Sequence, residues 1–198
     1  MSGKPQYDEA AVIDAAIGVF WRLGFAATSI SELTDATGIS RSSLYQRFGD
    51  KDGLFREALT RYTERVLRRM DGVRADTARA RVEALLREFV TRDGKSKRPP
   101  GCLLARSCSE MANLSEAGQL AAKVGLKQQK AILDCILRDA SERSELARGA
   151  DVEGLAWYYV GIIQAVLNLP QAGASRLELE RMIDIAMLAW PTPIVKGR

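Results

Sequence analysis

Apolar residues recur at three- and four-residue steps along almost the whole chain, and no run alternates cleanly with a period of two. That pattern predicts helices and no half-buried strands. The first span, about Asp8 to Leu23, shows it plainly: Val12, Ala16, Val19, Phe20 and Leu23 form one face. Gly24 closes this helix, as a C-terminal glycine does. Ser29-Ile30-Ser31-Glu32 reads as a capping box and opens a second helix, with Ile30, Leu33 and Thr34 turned inward. Gly38 stops it, and Ser40 can cap a third helix from Arg41 to Phe48. Further helices are expected at about Lys51–Met70, Thr77–Asp93, Cys102–Ala112, Ser115–Ser144, Val152–Gln171 and Arg176–Trp190, roughly nine in all.

Two short helices joined by Thr37-Gly38-Ile39-Ser40 form a helix-turn-helix. In that motif the second helix enters the DNA major groove, so its outer face must offer donors and acceptors. The third helix meets the requirement. Leu44 and Phe48, four apart, hold it to the core, while Arg41, Ser42, Ser43, Tyr45, Gln46 and Arg47 point outward or sideways. A tyrosine on a solvent face has no apolar reason to be there; a phenol reaching a phosphate supplies one.

The chain contains no histidine. It therefore lacks the usual general base, the usual partner of a serine nucleophile and the commonest zinc ligand. No Cys-x-x-Cys pair compensates, and no cofactor, metal or catalytic residue is expected. Gly94-Lys95-Ser96 resembles the end of a phosphate-binding loop, but the glycine required five residues before the second glycine is Phe89; Gly94 to Arg98 reads as a solvated loop. Net charge is +4 with a pI of about 9.1. Residues 1–50 run the other way: Lys4, Arg22, Arg41 and Arg47 face Asp8, Glu9, Asp14, Glu32, Asp35 and Asp50, four positive against six negative. An argument for nucleic acid must rest on placement rather than on bulk charge. The longest apolar run, Ala156 to Leu169, is interrupted by Gln164 and Asn168 and is shorter than the roughly 18 residues of a membrane span. Met1 to Ala10 has no signal pattern. A cytoplasmic protein with reduced cysteines and no membrane partner is expected.

Gly24-Phe25-x-x-Thr28-Ser29-Ile30, Thr37-Gly38-Ile39-Ser40 and Leu44-Tyr45-x-x-Phe48-x-x-Lys51-x-x-Leu54, as a set from about Ala10 to Phe55, resemble the DNA-binding module of the TetR/AcrR transcriptional repressors. Gly101-Cys102-Leu103-Leu104 and Gly173-Ala174-Ser175 also resemble stretches in some members. The resemblance implies an all-α fold: a three-helix helix-turn-helix DNA-binding domain at 1–50, and a larger helical ligand-binding and dimerisation domain at 51–198. It implies phosphate contacts from Thr28 and Ser29, and from Lys51 beside the free N–H groups of the fourth helix. Arg41, Ser42, Ser43 and Gln46 would face base edges, and Tyr45 the backbone or a thymine methyl, with Ser40 and Arg47 flanking them. Arginine is the commonest reader of guanine, and glutamine reads adenine. Members often have a bulkier or more basic recognition helix than Arg41-Ser42-Ser43, so reading here falls mainly on Arg41 and Gln46.

The last two helices point to a homodimer. Leu177, Leu179, Met182, Ile183, Ile185, Ala186, Met187, Leu188 and Trp190 leave the final helix little polar face, so it must bury more than one side. In the preceding helix Gly161 and Ala165 share a face with Trp157, Gln164 and Asn168. A four-helix dimer interface through Gly161, Gln164, Ala165, Asn168, Met182, Ile183, Ala186 and Trp190 is expected. Cys102 sits at a predicted helix N-terminus, with Arg106 one turn on and Lys97 and Arg98 just before; each feature favours a thiolate. Cys102 and Cys108 are about 9 Å apart along a helix, too far for a disulfide. A pocket with Cys102, Cys108, Met111, Trp157 or Tyr158 would suit an apolar or aromatic effector. The resulting reading is a dimeric repressor of a palindromic duplex operator, released by a small molecule. The alternatives are a cysteine-based redox or electrophile sensor, a non-specific architectural DNA binder, and an all-helical carrier or enzyme.

Overall fold

The computed structural model describes residues 7–90, 99 and 101–193. Among these are nine α-helices and no strand. They are α1 (Glu9–Leu23), α2 (Ile30–Thr37), α3 (Arg41–Phe48), α4 (Lys51–Asp71), α5 (Ala78–Glu88), α6 (Leu103–Ser109), α7 (Glu116–Glu142), α8 (Val152–Asn168) and α9 (Arg176–Ala186). The all-α class is the one read from the periodicity.

The differences lie at helix ends. Three expected helices are shorter and finish in 3-10 turns: Met111–Asn113 after α6, Leu169–Ala172 after α8 and Met187–Ala189 after α9. Pro170 accounts for the second, because it has no N–H to continue an α-helical ladder. α5 stops at Glu88, where Phe89 N–H turns back to the carbonyl of Leu86. Gly94-Lys95-Ser96, Lys97 and Arg98 lie outside the described residues.

The chain packs as two compact units, Met1–Arg65 with Cys102–Leu126, and Val66–Gly101 with Lys127–Arg198. α4 and α7 each run through a boundary. The core of the first unit is aromatic. Phe20 and Phe55 meet edge to face at 5.2 Å, and Phe25 lies 4.9 Å from Phe55. Such pairs add about 0.5–1.5 kcal/mol beyond the area they bury. Leu33, Leu44, Leu54 and Leu104 are fully buried in the same unit. Gly125 of α7 lies so near that a Cβ there would be 3.0 Å from Leu104 and 3.2 Å from Thr63. α6 and the start of α7 thus pack with the first four helices, a tertiary grouping that periodicity does not encode.

In the second unit Met70, Leu85, Leu86, Leu133, Leu137, Tyr159 and Ile163 are buried. The indole N–H of Trp190 donates to the carbonyl of Glu145, and Ala147 N–H donates to Pro191. Val152–Ala172 is, by length and composition, long enough and apolar enough to cross a membrane, with a mean hydropathy of 1.2 over its best window. It is longer than the run expected from sequence because it adds 152–155 and 170–172 at the two ends. Ala156, Tyr159, Val160, Ile163, Val166 and Leu167 from it are core residues.

Candidate nucleic-acid interface

Local chemistry sets the α2–α3 turn. Ser29 caps α2 through a full capping box with Glu32. Gly38 ends it at φ 72°, a left-handed conformation, and its N–H donates to Thr34 at 2.9 Å. A Cβ at Gly38 would meet nothing within 4 Å, so the demand for glycine is one of backbone angle alone. Ile39 is buried, and the Ser40 hydroxyl accepts the N–H of Ser43 at 3.1 Å, starting α3. The Ser40 oxygen also lies 2.8 and 2.9 Å from the hydroxyls of Ser42 and Ser43.

α3 is anchored by Leu44, fully buried, and by Phe48. Arg41, Ser42, Tyr45 and Gln46 are exposed, and Tyr45 keeps 45% of its surface. At 3.6 residues per turn these four fall within about 140° of one another around the axis. A guanidinium, an amide, a phenol and a hydroxyl therefore share one short outward face. Arg41 makes no ion pair among the described residues.

Three residues expected to contact DNA do other work. Thr28 is buried, and its hydroxyl donates to the carbonyl of Gly24 at 2.6 Å. Its side chain has no route to a phosphate. The ammonium of Lys51 donates to the carbonyls of Phe25 and Thr28, both at 2.9 Å, and sits 4.4 Å above the Phe25 ring. Two of its three N–H groups are committed to the α1–α2 turn. Arg47 pairs with Glu9 and, at 2.9 Å, with Glu57, and stacks over Phe48. Glu9 and Glu57 raise its pKa, and Arg47 in turn holds the Glu9 carboxyl below the usual range. Both carboxylates come from other helices, 38 and 10 residues away, which is why the outward set read from the helix alone included Arg47. Ser29 and Ser40 are exposed at helix starts, and Ser43 is half-buried.

Ion pairs to α4 offset part of the acidic balance of residues 1–50. Asp14 is met at 2.6 Å by Arg61 and at 2.5 Å by Arg65, both on α4. Burial alone would raise its pKa, but the two arginine hydrogen bonds outweigh that and lower it. Glu9 is matched by Arg47, a cation of the same count, and Asp14 by α4, which leaves three cations against four acids in residues 1–50.

Two family models divide the chain between them. "Bacterial regulatory proteins, tetR family" matches residues 12–58, and "Tetracyclin repressor-like, C-terminal domain" matches residues 78–186, more than half of the chain. The chain belongs to the TetR family. Its members are transcriptional regulators that bind duplex DNA as homodimers, the partners expected from sequence. The chain is 29% identical to the HTH-type transcriptional repressor ComR of Escherichia coli, covering 96% of this chain and 92% of ComR. It is 30% identical to a cysteine mutant of the TetR regulator CifR, solved with 26-bp operator DNA, at a TM-score of 0.82 over 96% of this chain and all of that one. Reduced NemR of E. coli, 19% identical at a TM-score of 0.82 over 94% of this chain and 98% of NemR, shares the fold.

The other residues expected from sequence are placed less simply in this TetR regulator. Ile183, Ala186 and Trp190 are buried in the second unit's own core and offer no surface to a second subunit. The all-round apolar pattern of α9 hid which side was inward. Leu177, Ile185 and Leu188, 56%, 67% and 80% exposed, are the outward apolar residues there. Gly161 is exposed, and Gln164, Ala165, Asn168 and Met182 are partly so. Trp157 and Tyr158 are exposed on α8 and do not line an interior pocket. Cys102 is buried in the first unit, where Cys108 and Met111 are half-buried. Burial, then the neighbouring Cys102, pushes the Cys108 thiol up. Arg106, expected to favour a Cys102 thiolate, also pairs with Glu110 at 2.8 Å. Sequence reasoning missed two buried polar groups of the second unit: Gln129, with neither amide atom partnered, and Tyr159, whose hydroxyl has no partner.

Proposed function

We propose that this chain is a homodimeric, sequence-specific repressor that reads duplex DNA with α3 and releases it on binding a small molecule. Residues 1–50 supply the DNA reading; residues 51–198 supply ligand binding and dimerisation. The observation that carries this reading is the shared outward face of Arg41, Ser42, Tyr45 and Gln46 on a helix anchored by Leu44 and Phe48. A guanidinium and an amide are the side chains that bond guanine and adenine edges bidentately. Ser29, Ser40 and Tyr45 lie where phosphate contacts would fix the register. We assign no catalytic role to any residue. The subunits meet through α8 and α9, using the Gly161 face with Leu177, Ile185 and Leu188.

Release by a small molecule is favoured over thiol chemistry. Burial pushes the Cys108 thiol up and makes it a poor nucleophile, because the thiolate is the reactive form, and Cys102 is buried out of reach of a solvent-borne electrophile. Gln129 and Tyr159 support a ligand with a polar group on an apolar or aromatic body. Leaving such groups buried without partners costs about 1–3 kcal/mol each, which a ligand's donor and acceptor would offset. Burial pushes the Tyr159 hydroxyl up to about 12, so it stays a donor at neutral pH.

Arg41→Ala tests the reading helix. It is expected to cost about 1–3 kcal/mol on the preferred duplex and to relax base preference at one position of each half-site. Equilibrium binding to that duplex and to its point variants measures both. Equal losses on preferred and random DNA would remove Arg41 from base reading.

A further inference from the structure

The turn between α1 and α2 is held from outside the helix-turn-helix by one ion pair, Arg106 of α6 with Glu110, the residue that caps α6. Arg106 Nη2 donates to the carbonyl of Leu23 at 2.9 Å and Nη1 to that of Arg22 at 3.3 Å. Its Nε donates to Glu110 Oε1 at 2.8 Å, and Glu110 Oε2 accepts the N–H of Phe25 at 3.0 Å. The pair thus bonds both the carbonyl end of α1 and the N–H that follows its Gly24 cap. Gly24 sits between them at φ 82°, and a Cβ there would lie 2.2 Å from Glu110 Oε1 and 2.7 Å from Arg106 Nε. The backbone and the pair are in direct apposition. Inside the module, Lys51 and Thr28 take the carbonyls of Phe25, Thr28 and Gly24.

We infer that Arg106 and Glu110 are positioning residues for DNA recognition: they fix the pose of the α1–α2 turn against α6, and through α2 the pose of α3. Neither needs to touch DNA. The last carbonyls of a helix have no partners within it, so whatever binds them sets where the chain goes next. A planar guanidinium on two carbonyls, locked by a carboxylate that also holds the next N–H, leaves that segment little freedom to tilt. Operator binding needs two recognition helices at a fixed separation of about 34–36 Å. Loosening the clamp lets α3 take several poses, only some of which fit. Random DNA, bound through phosphates, makes no such demand. The inference rests on the proposed reading of DNA by α3.

The test uses the full-length dimer and a duplex selected by the wild type from a randomised pool. Glu110→Gln keeps one oxygen, so it can serve Arg106 or Phe25 but not both. Binding to the selected duplex is expected to weaken about tenfold, within the usual range of coupling between sites. Random-duplex binding and the salt slope are expected to stay as in the wild type. On a series of duplexes with one to two base pairs added or removed between half-sites, the variant's preference is expected to flatten. The double variant Arg106→Met/Glu110→Met removes both charges, leaves neither stranded, and is expected to behave likewise. If Glu110→Gln unfolds, the double variant and its thermal midpoint carry the test. Unchanged affinity and spacing preference in a folded variant overturns the inference, and so does an equal loss on selected and random DNA. If the wild type itself selects no motif, the reading of DNA by α3 fails instead.

Discussion

Gly161→Arg is expected to give a folded monomer that has lost operator binding. A Cβ at Gly161 meets nothing within 4 Å, and the residue is exposed on α8. The subunit therefore has room for the new side chain. Arginine is also a better helix former than glycine by roughly 0.5–1 kcal/mol, so the isolated subunit should be no less stable. If α8 and α9 of a second copy pack here, the long cationic side chain lies in their contact and the dimer comes apart. Two linked half-site contacts exceed one by about 10²–10⁴ in affinity, so DNA binding should fall by two orders of magnitude or more. Sedimentation velocity and operator binding measure the two effects. A dimer with wild-type stability would remove the Gly161 face from the interface, and Ile185→Asp/Leu188→Asp would then show whether α9 alone supplies it.

Gly53→Ala is expected to destabilise the protein although helix propensity favours it. Gly53 lies in the first turn of α4, where alanine in place of glycine is ordinarily worth up to about 1 kcal/mol. Here an added Cβ would lie 1.9 Å from the carbonyl oxygen of Phe48 and 3.0 Å from its carbonyl carbon. The obstruction is backbone, so it can be relieved only by moving the end of α3 away from the start of α4. Overpacking of this kind costs about 1–3 kcal/mol, and a shift of a whole helix end lies at the upper limit. Gly38→Ala is the useful control: Gly38 lies in the left-handed helical region at φ 72° and ψ 6° with nothing within 4 Å of its Cβ, so only backbone strain of about 1–2 kcal/mol applies. The midpoint of urea unfolding should fall further for Gly53→Ala than for Gly38→Ala. A raised midpoint for Gly53→Ala would show that α3 and α4 approach less closely than described.

What sequence made legible was whatever depends on neighbours within a turn or two. The Ser29–Glu32 capping box, the Gly38 turn and the Ser40 cap are local, and each forms where the residues indicate. Period and the two anchors give an outward or sideways set of Arg41, Ser42, Ser43, Tyr45, Gln46 and Arg47, of which Ser43 is half-buried and Arg47 is paired. Charged side chains were misjudged where their partners come from far along the chain. Arg47 looks outward on its own helix, but Glu9 is 38 residues away and takes it. Lys51 has the right place for a phosphate, yet carbonyls 26 and 23 residues earlier hold it. The Arg106–Glu110 pair is visible as a four-residue spacing, whereas its bonds to Arg22, Leu23 and Phe25 are tertiary. Burial on α9 was ambiguous for another reason: a helix apolar on all sides carries no signal of which side meets its own core.

The central claim is that α3 reads base sequence in duplex DNA from a symmetric dimer. Selection of duplexes from a randomised pool by the full-length protein, at near-physiological salt, tests it most directly. The expected result is an inverted repeat whose half-site centres lie one helical turn apart, about 10–10.5 bp, or a multiple of it. Binding to that duplex should be at least about 10³ tighter than to random DNA. A pool that stays unenriched, with equal affinity for every sequence, would contradict the account.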